Sequence, residues 1–184
     1  MGKEINNVIG NQLKLARRSK GWSLDVASKH TGVSKAMLGQ IERSESSPTI
    51  VKLWDIANGF QLPLSYFLKE IQDKFSIQPK FNTERSIEVS TIFPFDQTTQ
   101  LEVFSLSLPP KHQHISAPHN EGVIEHILVI EGDMEYFLDG EWTPLNEGES
   151  VKFNANVEHG YRNLSDSQTT FHNIISYSHS KVNN

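Results

Sequence analysis

The run Glu125-His126-Ile127-Leu128-Val129-Ile130-Glu131-Gly132 sets an acid inside what otherwise reads as a buried strand. Successive strand residues face opposite ways, so Glu125 shares a face with Ile127 and Val129 while His126, Leu128 and Ile130 take the other. Both faces are apolar, and a carboxylate aimed into such a core is costly unless it is paired or bound to a metal. Seven of the eight histidines follow residue 111, so imidazole partners are plentiful in this half. Outward Asp133 and Glu135 turn Met134, Tyr136 and Leu138 inward, where a tyrosine hydroxyl needs a partner from protein or ligand. The chain has no cysteine, which excludes thiolate metal sites, cysteine nucleophiles and disulfides.

A second chemistry-bearing stretch is 34–43. Ser23 is placed to cap a helix from Leu24 to His30 that closes at Thr31-Gly32, and Ser34 to cap another running through Met37, Leu38 and Ile41 to Arg43. Two short helices joined by a tight glycine-containing turn are a helix-turn-helix signature, in which the second helix enters the DNA major groove. Val33, Leu38 and Ile41 fall on the core side, leaving Lys35, Ala36, Gly39, Gln40 and Arg43 outward, with Ser34 at the helix start. Gln suits adenine, Lys suits guanine, and Ala packs on a thymine methyl. Gly39 lowers helix propensity, which fits close approach to DNA or to a neighbouring helix. Phosphate contacts are expected from Arg17, Arg18, the amides after Ser23, and Ser46 or Ser47.

The elements that must carry these residues differ between the two halves. A helical stripe of Ile5, Val8, Ile9, Leu13 and Ala16 predicts a helix from Ile5 to Lys20 that stops at Gly21. Thr49 caps a fourth helix ending near Gly59, and Leu62–Leu68 predicts a fifth with Pro63 in its first turn. From Ile87 onward, short alternating runs are separated by turn signals such as Glu131-Gly132-Asp133 and Asp139-Gly140, the pattern of a closed barrel or jelly roll. Charge divides along the same line. Residues 1–74 hold 11 Lys/Arg against 7 Asp/Glu, net +4, and residues 75–184 hold 6 against 15, net −9. The expected class is therefore α+β with two domains, an all-α five-helix bundle at 1–72 and an all-β domain at 85–180, joined by a linker at 73–84. The N-terminus lacks the apolar stretch of a signal peptide, and no apolar run approaches a membrane span of about 20 residues, so a soluble, cytoplasmic protein is expected.

Trp22-Ser23-Leu24, Thr31-Gly32-Val33-Ser34, Leu38-Gly39-Gln40-Ile41-Glu42-Arg43 and Ser47-Pro48-Thr49 resemble the xenobiotic-response-element (Cro/repressor-like) helix-turn-helix family over about residues 6–68. The second half resembles the cupin family over about residues 85–180: Glu125 and Gly132 fit its first motif, and Gly148-Glu149-Ser150 through Phe153 to His159 and Asn163 its second. That resemblance implies a jelly-roll barrel with metal ligands at His119, Glu125 and His159. Glu121 stands where the family has a further histidine, so Glu121, His114, water or a ligand would complete the shell. Two imidazoles and a carboxylate suit an open Zn²⁺ site, with non-haem iron the nearest alternative and a hydrogen-bonded Glu–His pair the metal-free reading. The whole layout is similar to bacterial helix-turn-helix–cupin regulators, those of sulfur utilisation in particular. It implies a non-enzymatic homodimer that binds a double-stranded operator and a small sulfur-containing compound or amino acid, the effector touching Tyr136 and Tyr161. A metal-dependent cupin oxygenase or isomerase fused to a DNA-binding domain is the alternative.

Overall fold

The computed structural model describes residues 2–68 and 87–177, which fall into two compact units within residues 1–79 and 80–184. The expected linker, 73–84, lies outside the described residues.

In the first unit, helices α1 (Gly2–Ser19), α2 (Leu24–Thr31), α3 (Lys35–Glu42) and α4 (Ile50–Phe60) follow in order. The predicted stripe is the buried face of α1, with Val8, Ile9, Leu13 and Ala16 packed away from solvent. Val33, Leu38 and Ile41 are buried as expected, and Ile50, Leu53, Ile56, Phe60, Leu64 and Phe67 complete the core. The three capping residues each accept a backbone N–H: Ser23 from Val26 (3.2 Å), Ser34 from Met37 (3.3 Å) and Thr49 from Lys52 (3.3 Å). Gly32 ends α2 with φ of 67°, a left-handed conformation that glycine adopts without a Cβ clash.

The fifth helix expected over 62–68 is a short 3₁₀ helix, Leu64–Leu68, so the described residues hold four α-helices. Tyr66 N–H donates to Pro63 C=O at 3.1 Å, three residues back, the tighter ladder that very short helices use. A single turn after Pro63 is too short to gain from α-type bonding.

The second unit is all-β, with strands β1 (Glu88–Asp96), β2 (Leu101–Leu108), β3 (Gln113–Ser116), β4 (Val123–Glu131), β5 (Met134–Leu138), β6 (Glu141–Leu145), β7 (Ser150–Asn154), β8 (His159–Arg162) and β9 (Thr169–Tyr177). They form a five-stranded sheet in the order β1-β2-β9-β4-β7 and a four-stranded sheet in the order β3-β8-β5-β6. Neighbours pair antiparallel throughout, and ring contacts such as Tyr161 with Phe171 pack one sheet face to face on the other, a jelly-roll sandwich. Burial alternates along β2, β4 and β9, so Phe104, Leu106, Ile127, Val129, Phe171 and Ile175 make the core between the sheets. The same alternation carries four polar side chains inward: Glu102, Glu125, Thr169 and Asn173.

Candidate functional site

Glu125 lies on β4 between Ile175 of β9 and Phe153 of β7, pointing between the sheets as its sequence neighbours predict. Its Oε1 is 2.8 Å from His119 Nε2 and 3.5 Å from His159 Nε2, and all three side chains are buried. His119 precedes β4, and its backbone N–H donates to Ala155 C=O at 2.8 Å. His159 opens β8 on the facing sheet, so the cluster joins the two layers. Its Nδ1 lies 2.9 Å from the Val157 carbonyl oxygen, which only accepts, so Nδ1 carries the hydrogen and Nε2 is presented to Glu125.

The other carboxylate oxygen is occupied. Glu125 Oε2 accepts the Tyr161 hydroxyl and, at 3.0 Å, the Asn173 amide Nδ2. Oε1 is thereby the oxygen left to the histidines. Burial pushes the Glu125 carboxyl up, but the hydrogen bonds and charge of His119 and His159 outweigh it and hold the group well below the usual carboxylate range. Burial lowers His159, yet Glu125 and the Val157 carbonyl carry it above the ordinary histidine value. Burial, then the Glu125 charge and hydrogen bond, push the Tyr161 hydroxyl well up, so it remains a donor.

One donor atom from each of His119, Glu125 and His159 lies within 4.8 Å of the others. Two ligands each about 2.1 Å from one zinc ion can be at most about 4.2 Å apart, so less than about 1 Å of side-chain movement would close the set around an ion. The donor types, the fixed His159 tautomer and the hydrogen-bonded second carboxylate oxygen all fit a metal, because ordered partners of this kind orient its ligands. Glu121 is exposed, and the His114 Nε2 contacts Ser116 Oγ at 3.1 Å. His126 faces out of the sandwich, with Nδ1 3.2 Å from Ile174 C=O.

Tyr136 and Tyr161 are register partners across β5 and β8 and so share the inward face of the smaller sheet. Tyr136 is half-buried, its ring parallel to that of Phe153 on the facing sheet with centroids 6.4 Å apart. Sequence reasoning missed Asn173 and Glu102. Glu102 is buried beside Ile175 and accepts the Tyr177 hydroxyl. Strand alternation was the available signal, since Asn173 stands between Phe171 and Ile175 and Glu102 leads the inward run to Phe104 and Leu106.

In the helical unit, Ser34, Lys35, Ala36, Gln40 and Arg43 are exposed on or beside α3, as are Arg18, Ser23 and Ser47, with Ser46 half-buried. Lys35 Nζ pairs with Asp25 at 2.8 Å and Arg43 Nη2 with Glu45 at 2.7 Å. Two residues sit differently from expectation. Gly39 is buried rather than outward: a Cβ there would lie 3.2 Å from Nη1 of Arg43 at the end of the same helix and at an ordinary 3.7 Å from Leu24 of α2. Arg17 faces inward: its guanidinium binds both Glu42 oxygens and donates to Trp22 C=O at 2.9 Å. All of this ties Arg17 to the framework.

Comparison with known proteins agrees with both units. Residues 13–67 match the helix-turn-helix family and residues 104–175 the cupin-domain family. The chain is 42% identical over 177 residues to the HTH-type transcriptional regulator SutR of Escherichia coli (strain K12), covering 95% of this chain and 98% of that one. It is 28% identical over 103 residues to the transcriptional regulator ClgR of Mycobacterium tuberculosis (strain CDC 1551 / Oshkosh), 56% of this chain and 92% of the other. The crystal structure of an HTH_3 family transcriptional regulator from Vibrio cholerae superposes with a TM-score of 0.89 at 42% identity, covering 97% of this chain and 99% of that one. No helix among the described residues is long and apolar enough to cross a membrane. The chain belongs to the family of helix-turn-helix transcriptional regulators that carry a C-terminal cupin domain.

Proposed function

We propose that this regulator reads an operator with its 1–72 domain and is governed by a small metabolite bound in its 85–180 domain, in the cytoplasm and as a homodimer. The observation that carries the reading is the buried cluster of His119, Glu125 and His159 set between the sheets of a domain attached to a helix-turn-helix unit. A sealed core gains nothing from a carboxylate and two imidazoles, whereas a binding site needs a few placed polar groups in an apolar cavity. His119, Glu125 and His159 would hold a divalent ion, Zn²⁺ before iron, whose open coordination position supplies Lewis-acid affinity for a ligand donor atom. Tyr136 lines the inward face beside the cluster, and Tyr161 orients Glu125 from the same row.

On the DNA side, Lys35, Ala36, Gln40 and Arg43 form the base-reading surface, with Ser34 at its start and Arg18, Ser23, Ser46 and Ser47 toward the phosphates. A dimer sets two such helices about 34 Å apart, one turn of a pseudo-palindromic operator. The effector acts through the difference between its affinities for the DNA-competent and DNA-incompetent arrangements. Resemblance to regulators of sulfur utilisation makes a small sulfur-containing compound or amino acid the effector class. The relatives matched over nearly the whole chain are regulators, which favours a binding over a catalytic use of the cluster. Fluorescence anisotropy of labelled DNA from upstream of the protein's own coding region tests this, titrated with protein at fixed salt with and without sulfur compounds. A compound that shifts the isotherm for this DNA and leaves scrambled DNA unaffected supports it. Indifference of the isotherm to every compound leaves the cupin with a dimerising role only.

A further inference from the structure

Asn173 lies on β9, the middle strand of its sheet, with 1% of its surface exposed. Its Nδ2 donates to Glu125 Oε2 at 3.0 Å. A carboxylate oxygen accepts, so turning the amide over would set Oδ1 against Oε2; Glu125 therefore fixes which end of the amide faces it. The remaining end, Oδ1, has no hydrogen-bond partner among the described residues.

The surroundings explain why. In register across the sheet, Asn173 pairs with Phe104 of β2 and Ile127 of β4, and along its own strand its inward neighbours are Phe171 and Ile175. None of the four has a side-chain donor. Diagonally placed are Glu125 and Glu102, whose carboxylates accept. The backbone N–H groups of β9 are committed to the ladders with β2 and β4 on either side. Thr91 Oγ1 is likewise buried without a partner, but a hydroxyl can rotate to donate or accept; an amide oxygen can only accept. Leaving such an acceptor dry is costly, and beside two carboxylates the matching donor is one that carries positive charge.

We propose that Asn173 Oδ1 receives the amino group of the effector, so that the effector is a small amine, of the amino-acid class, whose ammonium lies beside the Glu125 cluster. This rests on the effector-binding reading above and narrows it. Glu125 then acts twice, offering Oε1 to the histidines and holding Asn173 with its acceptor open through Oε2.

The test uses ligand pairs that differ only in the α-amino group: L-methionine with 4-(methylthio)butanoate, and L-cysteine with 3-mercaptopropionate. Calorimetric titration of the full chain should show, for at least one pair, the amino acid binding about tenfold or more tighter than its deaminated partner, as a charge-assisted hydrogen bond requires. Asn173→Leu, close in volume, removes the Nδ2 donor to Glu125 together with Oδ1, so both members of a pair should weaken and their ratio should fall to about one. Equal binding of both members to the unaltered chain overturns this inference and leaves the effector reading standing. A ratio that persists in Asn173→Leu overturns the assignment to Asn173. Failure of all four compounds to bind overturns the small sulfur-compound reading itself. A crystal structure with the bound amino acid supplies a check independent of the variant: its nitrogen within hydrogen-bond distance of Asn173 Oδ1 supports the proposal, and a water in that place overturns it.

Discussion

Arg17 reaches from α1 to grip Glu42 at the end of α3, with Nε 2.5 Å from Oε1 and Nη2 2.8 Å from Oε2. The side chains are 15% and 7% exposed, so the pair is largely shielded from water. The pairing fastens the helix that carries Gln40 to the helix that begins the domain.

Arg17→Ala should therefore act first on the fold. It strands the Glu42 carboxylate and the Trp22 carbonyl, and loss of one partner of a part-buried charged hydrogen-bonded pair costs about 1.5–3 kcal/mol. Chemical denaturation should show the loss directly. DNA binding by the fraction still folded should keep the salt dependence of the unaltered protein, because a framework arginine neutralises no phosphate. A flattened salt slope with unchanged stability would show instead that Arg17 meets the DNA backbone.

Gln40→Ala should do the opposite. Gln40 is exposed on α3, so the melting temperature should hold, while discrimination between operator and scrambled DNA should fall by about 1–3 kcal/mol. Competition anisotropy with the two DNAs measures the ratio.

Saturating Zn²⁺ should raise the melting temperature of the chain, and Glu125→Gln or His159→Ala should abolish the rise. At about a hundredfold excess over Kd the gain is about 2.7 kcal/mol. Tyr161→Phe removes a hydroxyl that orients the Glu125 carboxylate proposed as a ligand and should weaken zinc about 10- to 100-fold. Elemental analysis of purified proteins, with calorimetry against zinc, reads all of these.

The metal-free protein should show a pH optimum of stability. Glu125 is held below the usual carboxylate range in the folded state, so its contribution is present above an unfolded value of about 4.3 and is lost as pH falls below it. His159 is raised on folding, so its contribution is present below an unfolded value of about 6.5 and is lost as pH rises through the folded value. Stability should peak between roughly pH 4.5 and 6.5. Chelator-treated protein melted across pH 3–9 reads the peak, and Glu125→Gln should flatten both shoulders.

Much of this architecture can be read from the chain because it is local. The spacing of Val8, Ile9, Leu13 and Ala16 suffices to set the buried face of α1, and the alternation around Glu125 suffices to turn its carboxylate inward. The remainder depends on pairs far apart in sequence. Nothing near Arg17 announces Glu42, 25 residues on, so a surface arginine and a framework arginine look alike until α1 and α3 are packed. Tyr161 and Asn173 likewise meet Glu125 from 36 and 48 residues away, on opposite sheets. The 3₁₀ form of Leu64–Leu68 was hidden for another reason: a stretch that short has too few residues for its spacing to tell one helical ladder from the other.

Lys35 and Arg43, the two cations on the outward side of α3, each rest against an acid of their own chain, Asp25 and Glu45. Both pairs are more than half exposed, so an approaching anion meets each cation already shared with a carboxylate. Such pre-loaded side chains blunt adhesion to random polyanions and repay only a partner that engages several groups at once. If α3 reads DNA as proposed, the acids beside it lower the pull of its cations on polyanions that meet only one of them.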